Sequence, residues 1–254
     1  MSEGDTIHRI AAELRSSLVG HRVVSSSIAY GARTLVPAGT LVREVVARGK
    51  HLLIRFDVDR VLHTHLGMHG VWRIVPPGAR NGRVPPRVAI QVQGAKAVCI
   101  AALVVEVLPE RALSVHPVLS ALGPDLCDPE PDLDEVVARF ARLVEPGAEI
   151  APTLLDQRIA SGIGNVYKSE VLFAERVDPF TRADALSSDH VPALYGTASR
   201  LRANLGAGRR RTVPAGYAVS GRAGRPCRRC GGQIRSGKQD GRTTWWCPSC
   251  QMGA

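Results

Sequence analysis

The sequence predicts an α+β multidomain fold. A leading helix on an N-terminal β-sandwich (residues 1–115) is followed by a helical domain (116–221) and a C-terminal zinc-finger β-hairpin (222–254). Three observations predict it. Between residues 22 and 110 the chain runs in short stretches rich in β-branched residues, separated by Gly, Pro and Asp. From Asp132 onward the apolar period becomes helical. Near the end, four of the six cysteines form CRRC at 227–230 and CPSC at 247–250, with sixteen residues between Cys230 and Cys247.

Each element follows from its residues. Ile7, Ile10, Ala11, Leu14 and Leu18 share one face of a first helix. Asp5 or Thr6 is expected to cap it, with Ser2 and Glu3 just ahead of its positive end. The runs RVVSSSI, LVREVVAR, HLLIRFDV, RVLHTHL, GVWRIV, RVAIQVQ, AVCIA and LVVEVLP then read as strands of an antiparallel sandwich. Helices are predicted over DLDEVVARFARLVE, PTLLDQR, GNVYKSEVLFAERV and SSDHVPALYGTASRLRANL, the second ending at ASGIG and the third starting near Asn165. A glycine-rich turn entering a helix presents backbone N–H groups that suit a DNA phosphate. The same arrangement is also ordinary helix packing.

Charge and cysteine spacing narrow the function. The net charge is +10, and all of the excess lies late in the chain. From Arg200 onward there are twelve Lys and Arg against one acid, Asp240, whereas residues 1–199 carry twenty-one bases and twenty-two acids. A run such as Arg209, Arg210 and Arg211 reads as a solvated arm, but the cationic stretch beyond it encloses the cysteines and points to a folded surface for a polyanion. The C-x2-C…C-x2-C spacing suits one tetrahedral zinc on Cys227, Cys230, Cys247 and Cys250, with a hairpin between the pairs turning near Lys238–Gly241. The alternative is a pair of disulfides, which a cytoplasmic chain disfavours. Cys99 and Cys127 read as ordinary thiols. No apolar run approaches the ~20 residues that span a bilayer, and no signal-peptide pattern precedes the first helix, so a soluble, cytoplasmic chain is expected.

Together these segments resemble the bacterial formamidopyrimidine-DNA glycosylase/endonuclease VIII family, from end to end and in order. EGDTIHR at 3–9 is similar to its N-terminal catalytic segment, and ARGKHLLIRF and HTHLGMHGVW to its sandwich signatures. LLDQRIASGIGNVYKSEVLF resembles its helix–two-turn–helix, and GRAGRPCRRCGG…DGRTTWWCPSCQ its terminal zinc finger. VVEVLP and HPVLSALGPDL are similar to an actinobacterial endonuclease VIII-like branch. The resemblance implies a base-excision-repair DNA glycosylase, monomeric and nucleoid-associated, with one structural zinc. Its partner would be damaged duplex DNA, with single-stranded or crosslinked DNA left open. A non-catalytic lesion-binding protein on the same scaffold is the alternative.

The resemblance also assigns residues. Met68 matches a residue that wedges into the space left by a flipped base, although by itself it reads as a core methionine. The family's two other wedge residues have no counterpart in AVCIAALVVEVLP. Lys50, His51 and His65 match positions that hold flanking phosphates or assist the chemistry, with Lys50 placed among the catalytic groups. Asn165 matches a phosphate-binding asparagine, and Arg242 an arginine that grips the flipped nucleotide's phosphate. Glu170 matches a carboxylate near the base pocket. Glu3 matches the carboxylate that handles protons at the sugar.

One departure is consequential. Where the family carries a proline whose secondary amine attacks C1′, this chain has Ser2. A serine α-amine has a reference pKa of ~7.7–8.0 and still forms an imine with a sugar aldehyde. That imine can lose its proton and become a poorer electron sink than an iminium. The expectation is base release with weakened AP lyase activity.

Overall fold

The computed structural model describes residues 3–29, 33–79, 84–203 and 216–252. The chain divides into two compact units, residues 1–121 and 122–254, the second containing both the helical segments and the cysteine hairpin. Among the described residues no helix is long and apolar enough to cross a membrane.

The first unit is a β-sandwich with a helix against it. Helix α1 (Gly4–Leu18) buries Ile7, Ile10, Ala11, Leu14 and Leu18, the face its periodicity predicts. Each of its Ile and Leu side chains contributes roughly 1.5–3 kcal/mol on leaving water. Its cap is not Asp5 or Thr6. Glu3 is the last extended residue, and its carbonyl oxygen accepts from the backbone N–H groups of Thr6 (3.0 Å) and Ile7 (3.2 Å). Burial of Glu3 starts the helix earlier than side-chain capping preference would.

All eight predicted strands form: β1 (Val23–Ile28), β2 (Val42–Arg48), β3 (His51–Phe56), β4 (Val61–His65), β5 (Val71–Val75), β6 (Val88–Val92), β7 (Ala95–Ile100) and β8 (Val104–Leu108). They pair antiparallel in two four-stranded sheets, β1-β6-β7-β5 and β2-β3-β4-β8. One core joins the sheets and the helix, with Val42, Leu52, Ile54 and Leu62 from one sheet and Val88, Ile90, Ala97 and Cys99 from the other. Alternation along β3 and β4 therefore sends Leu52 and Ile54, Leu62 and Thr64 one way. His51, His63 and His65 go the other.

The second unit begins with α2 (Leu133–Leu143), capped by the Asp132 carboxylate, which accepts the Glu135 N–H at 2.9 Å. Then come α3 (Ile150–Thr153), α4 (Asn165–Ala174) and α5 (His190–Ala203). The helix predicted over PTLLDQR is only one turn, α3, which starts two residues earlier and takes in only Pro152 and Thr153 of that stretch. The reason is local competition for the backbone. The Gln157 amide donates to the carbonyls of Leu155 and Ile163, and the Asp156 carboxylate takes the N–H of Arg158. Strands β9 (Arg235–Gln239) and β10 (Arg242–Trp246) close the unit as a hairpin. Its two-residue turn has Asp240 at φ 46° and Gly241 at φ 69°, the left-handed pair that a tight Asp-Gly hairpin uses.

Candidate active site, nucleic-acid surface and metal centre

In the first unit the candidate residues gather at the start of α1 and along the β3–β4 ladder. Glu3 is fully buried. Lys50 is half-buried in the β2–β3 turn, behind Gly49 at φ 57°. His51 and His65 face each other across β3 and β4, their ring centroids 4.8 Å apart. His51 is also buried, and its Nδ1 lies 2.8 Å from Nε2 of His63. Nδ1 of His63 lies 2.9 Å from Oε2 of Glu106 on β8, and Nε2 of His116 lies 3.1 Å from the same oxygen.

Burial and mutual repulsion keep the rings of His51, His63 and His65 uncharged. Loss of solvent, with His65, His63, His116 and Lys50 adding positive potential, pushes the His51 pKa down to about 3. Burial also lowers His63, against the pull of Glu106, and lowers His65 with help from Lys50. The Glu106 carboxyl is held down chiefly by its hydrogen bond from His63, so it is ionised at neutral pH. A neutral His51 bonded to another ring is poorly suited to grip a phosphate as a cation.

Met68 stands at the tip of the β4–β5 loop, 63% exposed rather than in the core. Two glycines make that tip. Gly67 has φ 63°, and a Cβ there would lie 2.9 Å from that of Leu103. A Cβ on Gly70 would come within 2.3 Å of the Leu66 carbonyl oxygen. Leu103, 68% exposed, is thus a second apolar side chain at this loop, one the sequence did not single out.

In the second unit, Asn165 is the first residue of α4, after Gly164 in extended geometry. Its side chain is buried and turns inward. Nδ2 donates to the Thr243 carbonyl at 2.8 Å, and Oδ1 has no partner. The turn before α4 is stapled by Gln157, whose Oε1 also accepts the Gly162 N–H at 3.1 Å. Nothing in the sequence pattern marked Gln157; only the closed loop reveals it. Lys168, fully buried, donates to Thr244 Oγ1 at 2.8 Å and ties α4 to β10. Glu170 accepts three backbone N–H groups, from Ala218, Val219 and Ser220 at 2.8–3.0 Å. Arg242 is exposed at the start of β10, next to the hairpin turn.

The four hairpin cysteines converge with all sulfurs within 4.8 Å of one another. Sγ of Cys227 is 3.9 Å from that of Cys250, and Sγ of Cys230 is 3.5 Å from that of Cys247. Metal–thiolate bonds of about 2.3 Å place tetrahedral sulfurs about 3.8 Å apart, so the donor set fits a closed metal site. All four are free thiols, and the Arg229 N–H donates to Cys227 Sγ at 3.4 Å. The apolar cluster behind them is small: Phe173, Val219, Cys227, Ile234 and Cys247.

The N-terminal domain model of formamidopyrimidine-DNA glycosylase matches residues 1–101, and the corresponding H2TH domain model matches residues 122–208. The chain is 36% identical to endonuclease 8 2 of Mycobacterium tuberculosis, over 99% of this chain and all of that one. The chain belongs to the formamidopyrimidine-DNA glycosylase/endonuclease VIII family. It is also 35% identical, over the full length of both chains, to a Mycolicibacterium smegmatis protein named DNA-(apurinic or apyrimidinic site) lyase. Its fold matches that of Lactococcus lactis formamidopyrimidine-DNA glycosylase bound to DNA containing an AP site, with a TM-score of 0.86 at 22% identity, covering 99% of this chain and all of that one. Against the family pattern, Ser2 lies outside the described residues, as do Arg209, Arg210 and Arg211.

Proposed function

We infer that this chain is a DNA glycosylase of base excision repair: it takes a damaged nucleotide out of the stack and cleaves the bond between base and sugar. The observation that carries the reading is likeness over the whole chain to endonuclease 8 relatives, with a buried glutamate retained at position 3. A carboxylate that is fully buried at the start of a helix has no structural use as an exposed cap, and it is suited to handle protons at a sugar.

In this reading residues 1–115 carry the chemistry, while 116–221 and 222–254 hold phosphates. The α-amine of Ser2, freed by removal of Met1, attacks C1′, and Glu3 handles protons at the sugar. Lys50 adds positive potential near the phosphates and favours the neutral, nucleophilic amine. His65 borders the same strand end, and His51 acts as a neutral ring rather than a cation. Met68, with Leu103 on the adjoining turn, presents an apolar tip that fills the gap left by the flipped base. The positive end of α4 and Arg242 on the hairpin each take a phosphate. Asn165, whose Nδ2 ties the hairpin to that helix end, is the third member of this phosphate-binding set.

Zinc on Cys227, Cys230, Cys247 and Cys250 would supply folding energy to the hairpin and no reaction step. The enzyme would act as a monomer in the cytoplasm, on the nucleoid, with AP lyase activity weakened by the primary amine of Ser2.

The test is a panel of lesion-bearing oligonucleotides with borohydride trapping. Base release and some trapped enzyme are expected, and Ser2→Pro should raise trapping and strand cleavage. Equal base release by a variant with a blocked N-terminus would exclude the amine as an essential nucleophile. No release on any lesion would favour the non-catalytic binder.

A further inference from the structure

The outer face of the β2-β3-β4-β8 sheet carries a continuous polar chain of which the family assignment uses only His51. It runs His51, His63, Glu106, His116. Its proton positions follow from its partners. Nδ1 of His116 accepts the backbone N–H groups of Val118 (3.2 Å) and Leu119 (3.1 Å), so the ring's proton is on Nε2 and donates to Glu106. Glu106, ionised, accepts from His63, which fixes the His63 proton on Nδ1. Nε2 of His63 is then a lone pair and accepts the Nδ1 proton of His51. Nε2 of His51 remains, with no hydrogen-bond partner among the described residues, on the ring that also feels Lys50 and His65.

The trio His63, Glu106 and His116 also lies at distances that could hold a metal ion. The His116 proton argues against it. A metal on Nε2 would leave both ring nitrogens of His116 as acceptors, whereas metal-bound histidines donate from the other nitrogen. The chain is built for protons.

We propose that His51, His63 and Glu106 form a proton relay between the sugar chemistry of the Ser2, Glu3 and Lys50 group and solvent, with His116 as a positioning residue that holds the Glu106 carboxylate. The proposal rests on the glycosylase reading above. Attack of an amine at C1′ releases a proton, and departure of a base takes one up. A proton accepted at Nε2 of His51 is matched by transfer of its Nδ1 proton to Nε2 of His63. The Nδ1 proton of His63 then passes to Oε2 of Glu106, whose side chain is 41% exposed and releases it to water. One proton enters and one leaves. Passage in the opposite direction restores both rings, so a cycle with one transfer each way leaves the chain unchanged. The groups facing the relay are Lys50 from the β2–β3 turn, His65 from β4 and His116 from the segment after β8.

Two measurements test it on the full chain. Nitrogen-15 NMR of the imidazoles at neutral pH should find His51 and His63 neutral and protonated on Nδ1, and His116 protonated on Nε2. A His63 proton on Nε2, or a charged His63, overturns the relay. Single-turnover base release should fall roughly tenfold to a hundredfold in Glu106→Gln, which keeps an acceptor but cannot carry a proton, and also in His63→Ala. Binding to abasic-site DNA should be unchanged in both. Release by His63→Ala should recover with rising imidazole buffer, which a purely structural role would not produce. Wild-type release with undiminished Glu106→Gln release sinks the relay alone. Absence of release by the wild type on every lesion sinks the glycosylase reading and the relay with it.

Discussion

The two units carry opposite kinds of polar group. In the first, Glu3, His51 and His63 are buried, and the histidines are stripped of charge by the loss of solvent. In the second, Arg242 is exposed and charged, and Asn165 Nδ2, Lys168, Thr244 and Gln157 make backbone and side-chain bonds that hold the hairpin and the turn before α4. Chemistry needs groups whose protonation can be tuned, and burial tunes them. Holding a phosphate needs permanent charge or backbone donors on a firm support, and exposure preserves both. The difference teaches that each unit fails in its own way when a residue is removed.

The largest expected effect is on the second unit. Its hairpin rests on five buried core residues, so the metal proposed on the four cysteines would supply much of its folding energy. A structural zinc there would be worth on the order of 10 kcal/mol. Chelation, or Cys247→Ser, should therefore abolish hydrogen-exchange protection of β9 and β10 and leave β3 and β4 protected. Protection lost equally in both units would break the contrast.

Next comes Glu3→Gln in the first unit. Base release should drop by about two to four orders of magnitude, the range for a positioned proton-transfer group, with DNA binding nearly intact. Loss of binding in proportion to rate would move Glu3 from chemistry to grip.

The third effect is on stability against pH. His51 has a folded pKa pushed down to about 3 from 6.5, so the unfolded chain binds its proton first as pH falls. Its contribution is present above pH 6.5 and is lost below it at about 1.4 kcal/mol per pH unit until the folded pKa is reached. His63 and His65 act in the same direction. Thermal melting of the wild type between pH 7 and 4.5 should fall more steeply than that of His51→Leu. Parallel curves would show that His51 is not held neutral.

Smaller still, Arg242→Ala should cost about 1–3 kcal/mol in DNA affinity and reduce the salt dependence by roughly one counterion. Zinc content should stay unchanged. At the low end, Gly241→Ala should destabilise the hairpin by about 1 kcal/mol, because φ 69° is costly for any residue with a Cβ.

Much of this was legible in the sequence. The eight strands emerged where β-branched runs met Gly, Pro and Asp, because strand alternation and turn chemistry are local. The buried face of α1 followed from its period, and the cysteine cluster from its spacing, since two short loops can each aim a thiolate pair at one point. Met68 by itself read as core, and its exposure depends on two glycines whose need arises only from Leu103 and the Leu66 carbonyl.

Local pattern thus determined most of the elements and their order, because periodicity, turn residues and ligand spacing are properties of near neighbours in the chain. Tertiary structure alone decided which way the polar atoms turned. Asn165 donates to a carbonyl 78 residues away rather than facing outward, Gln157 closes a loop instead of extending a helix, and Glu106 meets His63 across 43 residues. Partners so distant in sequence meet only when strands and helices have packed. In that low-dielectric setting the hydrogen bond a group finds, or fails to find, sets its charge.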